Sequence, residues 1–205
     1  MVSTQGWLLL QNNSPKSTLL TARSISSKTF PLAHRLLTDA FPLRELPSQA
    51  ALEARFREPH CDAMLFYHNN QKPVGISIGW SLYDFYFIEY LAFVPELRGK
   101  NYGSRWIESL KDLHRTVVAE IEIPESEQQV KRHRFYEKLG FQTLKDDYVM
   151  PAVRANEKPL PMWLLSTDLS LDADETARTI YREVYKHALM RPQNEALQPF
   201  LDGEA

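Results

Sequence analysis

At 205 residues, with 43% hydrophobic and 24% charged side chains, the chain is sized for a single domain that buries its core without disulfides or a structural metal. A formal net charge of −2 excludes a global field favouring nucleic acid or an anionic membrane, and the lone Cys61 excludes an intramolecular disulfide and a cysteine-rich zinc site. The apolar run Trp7-Leu8-Leu9-Leu10 is far short of the roughly 20 residues of a spanning helix and has no basic segment before it. Neither a membrane span nor a signal peptide is expected, and the chain reads as cytoplasmic.

In chain order, residues 1–17 predict a short strand at Trp7 or a loosely held arm, and residues 19–25 predict a strand. Residues 27–41 predict a helix, with Phe30, Ala33, Leu36, Leu37 and Ala40 near helical spacing and Pro31 in its first turn. Pro42 and Pro47 bracket a loop, after which Ser48 caps a short helix carrying Leu52 and Phe56. Residues 63–67, 74–80 and 85–94 predict three strands, with turns at 68–72 and 81–84 short enough to require antiparallel hairpins. The period then changes. Residues 103–115 predict a helix through Trp106, Ile107, Leu110 and Leu113, residues 117–123 a strand, and residues 127–139 a helix stopped by Gly140. Residues 141–149 and 162–165 predict two further strands. Asp172, with Glu175 three positions on, predicts the cap of a last helix over 170–190, whose inward face is Ala177, Ile180, Tyr181, Val184, Tyr185 and Leu189. Residues 191–205 read as a mobile tail. The fold class is α+β with one mixed central sheet flanked by helices, in a single domain over 1–205.

One turn carries chemistry. Val94 and Pro95 end a strand, and residues 98–105 lead into an amphipathic helix through Arg98, Gly99, Lys100, Asn101, Tyr102, Gly103, Ser104 and Arg105. Such a junction aims first-turn N–H groups and the positive end of the helix macrodipole at one spot. Gly99 and Gly103 allow close backbone approach, Asn101 tolerates unusual dihedrals, and three cations stand nearby, which together make a cradle for a pyrophosphate. A solvated basic turn is the plain alternative. The spacing fits neither a Walker loop nor a Rossmann turn.

The segment from Glu89 through Ser104 resembles the acyl-CoA motif of the GNAT N-acyltransferase superfamily, Gln/Arg-x-x-Gly-x-Gly/Ala after a strand, with Asn101 where the family has its central glycine. Arg134-Phe135-Tyr136-Glu137-Lys138-Leu139-Gly140-Phe141 is similar to the same family's helix-end signature, Phe-Tyr-x-x-x-Gly-Phe. The order of elements over 18–168 matches the family core, while Gln129 stands where many members carry an asparagine. The resemblance implies an acetyl-CoA-dependent N-acetyltransferase in which an amine attacks the thioester directly, the co-substrate lying between the fourth and fifth strands. It implies that backbone groups of Leu91, Ala92 and Phe93 pair with the acetyl carbonyl and pantetheine, and that Arg98, Gly99, Lys100, Asn101, Tyr102, Gly103 and Ser104 hold the pyrophosphate. It also implies that Tyr136 protonates the departing thiolate, against the alternative that Tyr136 only packs.

The attacking amine must lose a proton, and strand carboxylates are the candidates: Glu89 is favoured, then Glu120, with Glu122 on the same face as Glu120 and a water relay as the alternative. Strict alternation places Glu89 on one strand face with Leu91 and Phe93. The run Lys131-Arg132-His133-Arg134 spreads around a helix and reads as a solvated face. No histidine spacing predicts a metal, and Cys61 reads as a small buried residue.

For the acceptor, the loop after the first helix offers Phe41, Arg44 and Glu45, and the central hairpin offers Trp80, Tyr83, Phe85, Tyr86 and Phe87, all of which also suit core or dimer contacts. The expected partner is a small-molecule amine or a peptide amino group, with no nucleic acid and no membrane, in a monomer or homodimer. The final helix either covers the sheet or forms a dimer contact. Two rivals remain open on the same fold: a non-catalytic acyl-CoA-binding sensor, and an acetyltransferase specific for protein termini.

Overall fold

The computed structural model describes residues 20–69, 72–114, 116–189 and 192–197. Seven strands, β1 (Leu20–Ser24), β2 (Cys61–His68), β3 (Pro73–Ser81), β4 (Tyr86–Phe93), β5 (Val117–Glu122), β6 (Gln142–Met150) and β7 (Leu160–Ser166), form one mixed sheet in the order β1-β2-β3-β4-β5-β7-β6. All neighbours are antiparallel except β4 and β5, which run parallel because the helix between them returns the chain to the same end of the sheet.

The central strands β2 to β5 are buried on both faces, so alternate residues feed two cores. In β2, Met64 and Phe66 join the core beneath α3 (Tyr102–His114) and α4 (Glu127–Glu137), while Ala63, Leu65 and Tyr67 join the one beneath α1 (Phe30–Ala40) and α2 (Gln49–Arg55). A third core covers the β5–β7 end of the latter face. It is closed by α5 (Ala173–Glu183) and α6 (Lys186–Leu189).

The local signals act as expected at several ends. Ser48 Oγ accepts from Ala51 N, and Asp172 accepts from Glu175 N at 2.8 Å. The helix predicted from residue 27 starts at Phe30, because Ser26 and Thr29 form a hydrogen-bonded turn ahead of it. Leu113, assigned to the inward face of α3, is half exposed in its last turn.

The single C-terminal helix expected over 170–190 is instead two, since Tyr185 N–H donates to Ile180 O five residues back and ends α5. Its predicted face, Ala177 to Tyr185, is buried against this chain's own sheet. Residues 192–197, expected in a mobile tail, form a 3₁₀ turn pinned by the buried Asn194. Its side chain accepts from Ala152 N at 2.8 Å and donates to Ala152 O and Ala188 O at 3.0 and 2.7 Å. The strand or arm expected at Trp7 and the rest of the tail lie outside the described residues. Among the described residues no helix is long and apolar enough to cross a membrane.

Candidate active site

The site begins where two strands part. β4 and β5 pair only through Tyr86–Val117, Phe87–Val118 and Ile88–Ala119. Beyond that point β4 continues to Phe93 with β3 alone beside it, and β5 continues to Glu122 with β7 alone beside it. The cause is local. Ile78 pairs with Tyr90 and Gly79 with Ile88, so Glu89 is an extra residue opposite nothing, and a bulge of this kind bends its strand. From Leu91 to Phe93 the backbone groups of β4 that point away from β3 therefore face a gap instead of a strand.

The bulge corrects the alternation argument. Ile88 lies in the α3–α4 core, and so do Leu91 and Phe93, but Glu89 and Tyr90 both turn to the opposite face. One inserted residue reverses the parity of all that follows. Glu89 does not share a face with Leu91 and Phe93. Its carboxylate is buried, ion-paired with Arg55 of α2, and accepts the indole N–H of Trp80 at 2.8 Å. Both oxygens are thus engaged, which leaves Glu89 poorly placed to accept a proton.

The helix entry lies at the end of the same strand. Pro95–Leu97 is a 3₁₀ turn, after which Gly99 (φ 73°) and Asn101 (φ 61°) both take left-handed backbone, and α3 starts at Tyr102. Asn101 adopts the conformation that the glycine of the resembled motif would supply. The amides of the first helical turn have no carbonyl four residues back, so they are available to an anion. At Gly103 a Cβ would lie 3.3 Å from the Phe135 ring, so its missing side chain admits α4 against the helix entry. The Tyr102 side chain is also core, its ring 6.0 Å from that of Phe93, and only its backbone faces the turn. Arg98 Nε donates to Phe93 O at 3.4 Å, while Lys100 and Ser104 stand on the loop and first turn.

Tyr136 sits at the end of α4 between Phe135 and Phe141, with ring centroids at 5.2 and 5.1 Å. Burial pushes its hydroxyl up to about 12, with Arg132 opposing and Glu122 adding to the effect. It therefore carries its proton at neutral pH, as a proton donor must. Gln129 closes a capping box on Ser126, accepting its N–H at 2.7 Å, so its side chain serves the helix end.

Glu120 is the carboxylate that the fold leaves partly unspent. It is the β5 residue just past the last β4–β5 pair. Tyr185 Oη donates to its Oε1 at 2.5 Å, whereas Oε2 is buried without a partner, as is the Tyr148 hydroxyl of β6. Burial pushes Glu120 up to about 8; the Tyr185 hydrogen bond, Tyr148 and Arg55 oppose this, and the charge of Glu89 adds to it. Glu122, the third candidate, is ion-paired with Arg132 of α4.

On the acceptor side the structure brings Phe41 and Glu45 to β4. The Phe41 ring meets Tyr90 edge-on at 5.0 Å, and Tyr90 Oη donates to Glu45 O at 2.6 Å. The Glu45 carboxyl is raised by burial and by Glu122, with Arg44 and Arg132 opposing. Tyr83 is not brought to the gap: it is 94% exposed in the β3–β4 turn, at the other end of β4. Trp80, Phe85, Tyr86 and Phe87 are core, and of these Trp80 alone touches a candidate carboxylate. Sequence reasoning missed Arg55, Arg132, Tyr148 and Tyr185 as members of this site. Arg55 follows Leu52 by one helical turn, a cation at an inward position that calls for a buried anion. Tyr185 lay on the predicted inward face, where its hydroxyl needed a partner.

In class, this is an α+β transferase domain whose sheet opens beside a helix N-terminus. The profile of the acetyltransferase (GNAT) family matches residues 30–141, more than half of the 205, and the chain belongs to that family. It is an N-acetyltransferase. A curated relative, "Putative acetyltransferase YjbC" of Bacillus subtilis (strain 168), is 25% identical over 157 residues, covering 74% of this chain and 80% of its own. A solved structure, "Putative acetyltransferase from GNAT family from Bacteroides thetaiotaomicron", superposes with a TM-score of 0.72 at 26% identity, over 80% of this chain and 97% of that one. Arabidopsis thaliana Naa50, solved with the bisubstrate analogue CoA-Ac-MVNAL, shares the fold at a TM-score of 0.52 and 18% identity, over 72% of this chain and 97% of that one.

Proposed function

We propose that the enzyme takes its acetyl group from acetyl-CoA and passes it to the amino group of a small molecule or peptide by direct attack of the amine on the thioester. The observation that carries this reading is the gap that opens past the Ile88–Ala119 pair, bounded by the free edge of β4 and followed by the α3 N-terminus. Leu91, Ala92 and Phe93 would offer that edge to the acyl and pantetheine groups, and an N–H aimed at a developing oxyanion contributes about 3 kcal/mol. The backbone of Gly99 to Ser104, with Arg98 and Lys100 beside it, would hold the pyrophosphate. The left-handed Gly99 and Asn101 support this role, since left-handed residues in a turn are what anion-binding backbone concavities are built from.

Glu120 is the proton acceptor in this reading. A base raised to about 8 is matched to an ammonium acceptor near neutral pH, and its Oε2 is unspent. Tyr136 donates to the leaving sulfur. Phe41 and Glu45 approach the same end of β4 from the α1–α2 loop and contact the acceptor.

The test is thiol release from acetyl-CoA across a panel of polyamines, amino acids and short peptides. Turnover with at least one amine, reduced 100-fold or more in Glu120→Gln with CoA affinity retained, is expected. Tight CoA binding without turnover on any amine would replace catalysis with a sensing role, and exclusive use of peptides would narrow the acceptor to protein termini.

A further inference from the structure

The segment after β7 lies beyond residues 30–141, yet it supplies a polar contact to the carboxylate of Glu120. Tyr185 follows the end of α5, is fully buried, and carries the Arg55 guanidinium 5.4 Å above its ring. Arg55 in turn holds Glu89. Asn194 fixes the following turn to the β6–β7 connection through Ala152 and Ala188. The hydroxyl of Tyr185 is thus held from both sides, and its single polar partner shown is Glu120 Oε1.

We propose that Tyr185 is a positioning residue of the transfer reaction: it occupies Oε1 of Glu120, fixes the carboxylate plane, and leaves Oε2 as the atom that takes the acceptor's proton. This rests on the reading of Glu120 as the base. In the step, an N–H bond of the acceptor ammonium breaks, its electron pair stays on nitrogen, and an O–H bond forms at Oε2, directly or through one water. The groups that face Glu120 are Glu89 and Tyr90 on β4, Arg55 on α2, Tyr148 on β6, and Tyr181 and Tyr185 of the C-terminal segment. Arg55 is already committed to Glu89, and Tyr181 Oη donates to Val149 O at 2.7 Å. The Tyr148 hydroxyl lies close to the same carboxylate and also favours its ionised form, but it meets hydrogen-bond geometry with neither oxygen, so Tyr185, at 2.5 Å, is the hydroxyl that orients the carboxylate.

Two variants test this, Tyr185→Phe and Tyr148→Phe, each removing one hydroxyl and keeping the ring. Because the Tyr185 hydrogen bond favours the ionised carboxylate, its loss raises the pH at which Glu120 ionises. The acid limb of the kcat profile is expected to move up by about one pH unit in Tyr185→Phe, with kcat near pH 7 about 10-fold lower and KM for acetyl-CoA unchanged. Tyr148→Phe is expected to move it by less than half as much. Independently of activity, NMR titration of carboxyl-labelled glutamate in the free protein, with the Glu120 signal assigned by Glu120→Gln, should show the same upward shift. An unchanged carboxyl titration in a Tyr185→Phe protein that melts like wild type would overturn the positioning role, as would a larger shift from Tyr148→Phe. A shifted titration with an unshifted acid limb would leave Tyr185 in contact with Glu120 and remove Glu120 as the base, which separates failure of the functional reading from failure of the contact.

Discussion

The guanidinium of Arg55 closes on the carboxylate of Glu89 inside the fold, α2 meeting the bulge of β4. The pair is buried, with Trp80 as a second donor to Glu89. Removing one partner strands a charge in a low-dielectric interior, which costs far more than the net worth of the pair. Arg55→Met is therefore expected to lose about 3–5 kcal/mol in urea unfolding, and Arg55→Met combined with Glu89→Met to lose less than the single variant. A single-variant loss below about 1 kcal/mol would show that the pair is not structural. Glu89→Gln should keep an acid limb in the pH–rate profile and move it to lower pH, because the Glu89 charge no longer raises Glu120; disappearance of the limb would restore Glu89 as the base.

Tyr136 is held protonated by burial, and its neighbours are aromatic. Tyr136→Phe removes the proton and keeps the packing. It is expected to lower kcat by about 10-fold or more while the calorimetric Kd for CoA changes less than twofold. Equal kcat would remove Tyr136 as the acid.

Asn101 holds φ at 61°, a region that β-branched side chains avoid. Asn101→Gly should keep stability within about 0.5 kcal/mol and bind CoA at least as tightly as wild type, whereas Asn101→Val should lose about 1–2 kcal/mol and bind CoA more weakly. Thermal melts and calorimetry read both. Unaltered CoA binding in Asn101→Val would detach this turn from the co-substrate.

Glu120 binds its proton more tightly folded than unfolded, because burial raises it to about 8 from an ordinary value of 4.5. The folded state then holds the extra proton between those two values, so stability falls as pH rises through that window and is fully retained below it. Wild type is expected to lose on the order of 4 kcal/mol more than Glu120→Gln between about pH 5 and pH 9. Parallel stability curves for the two proteins would show that the carboxyl ionises normally.

Asn194 makes three hydrogen bonds from a fully buried position. Asn194→Ala leaves the Ala152 N–H and two carbonyls unpaired, an expected loss of about 2–3 kcal/mol in urea unfolding. If Tyr185 depends on this anchor, the same variant also lowers kcat; full stability would show that the 192–197 turn contributes nothing to the fold.

Both motifs were legible in the sequence because they are local: a strand, a left-handed turn and a helix entry at Arg98 to Gly103, and a helix end at Tyr136 with Gly140. The alternating runs and caps set the element order in the same way, since each depends on residues within one turn or one strand of each other. Roles that depend on distant partners were not legible. Gly103 answers to Phe135, and Glu45 to Tyr90, contacts that only the assembled layers create.

By itself, then, the amino-acid order determined the family core, the elements and the turn at Asn101, through short-range backbone and periodicity rules. Tertiary structure alone decided which carboxylates are ion-paired and which keeps one oxygen without a hydrogen bond among the described residues. The inserted residue at Glu89 reverses the parity of β4 and delivers that side chain to Arg55, while the C-terminal segment folds back to place Tyr185 on Glu120, 65 residues away in the chain. A bulge leaves no local signature in side-chain alternation, and a hydroxyl on a buried helix face announces that it needs a partner without naming it.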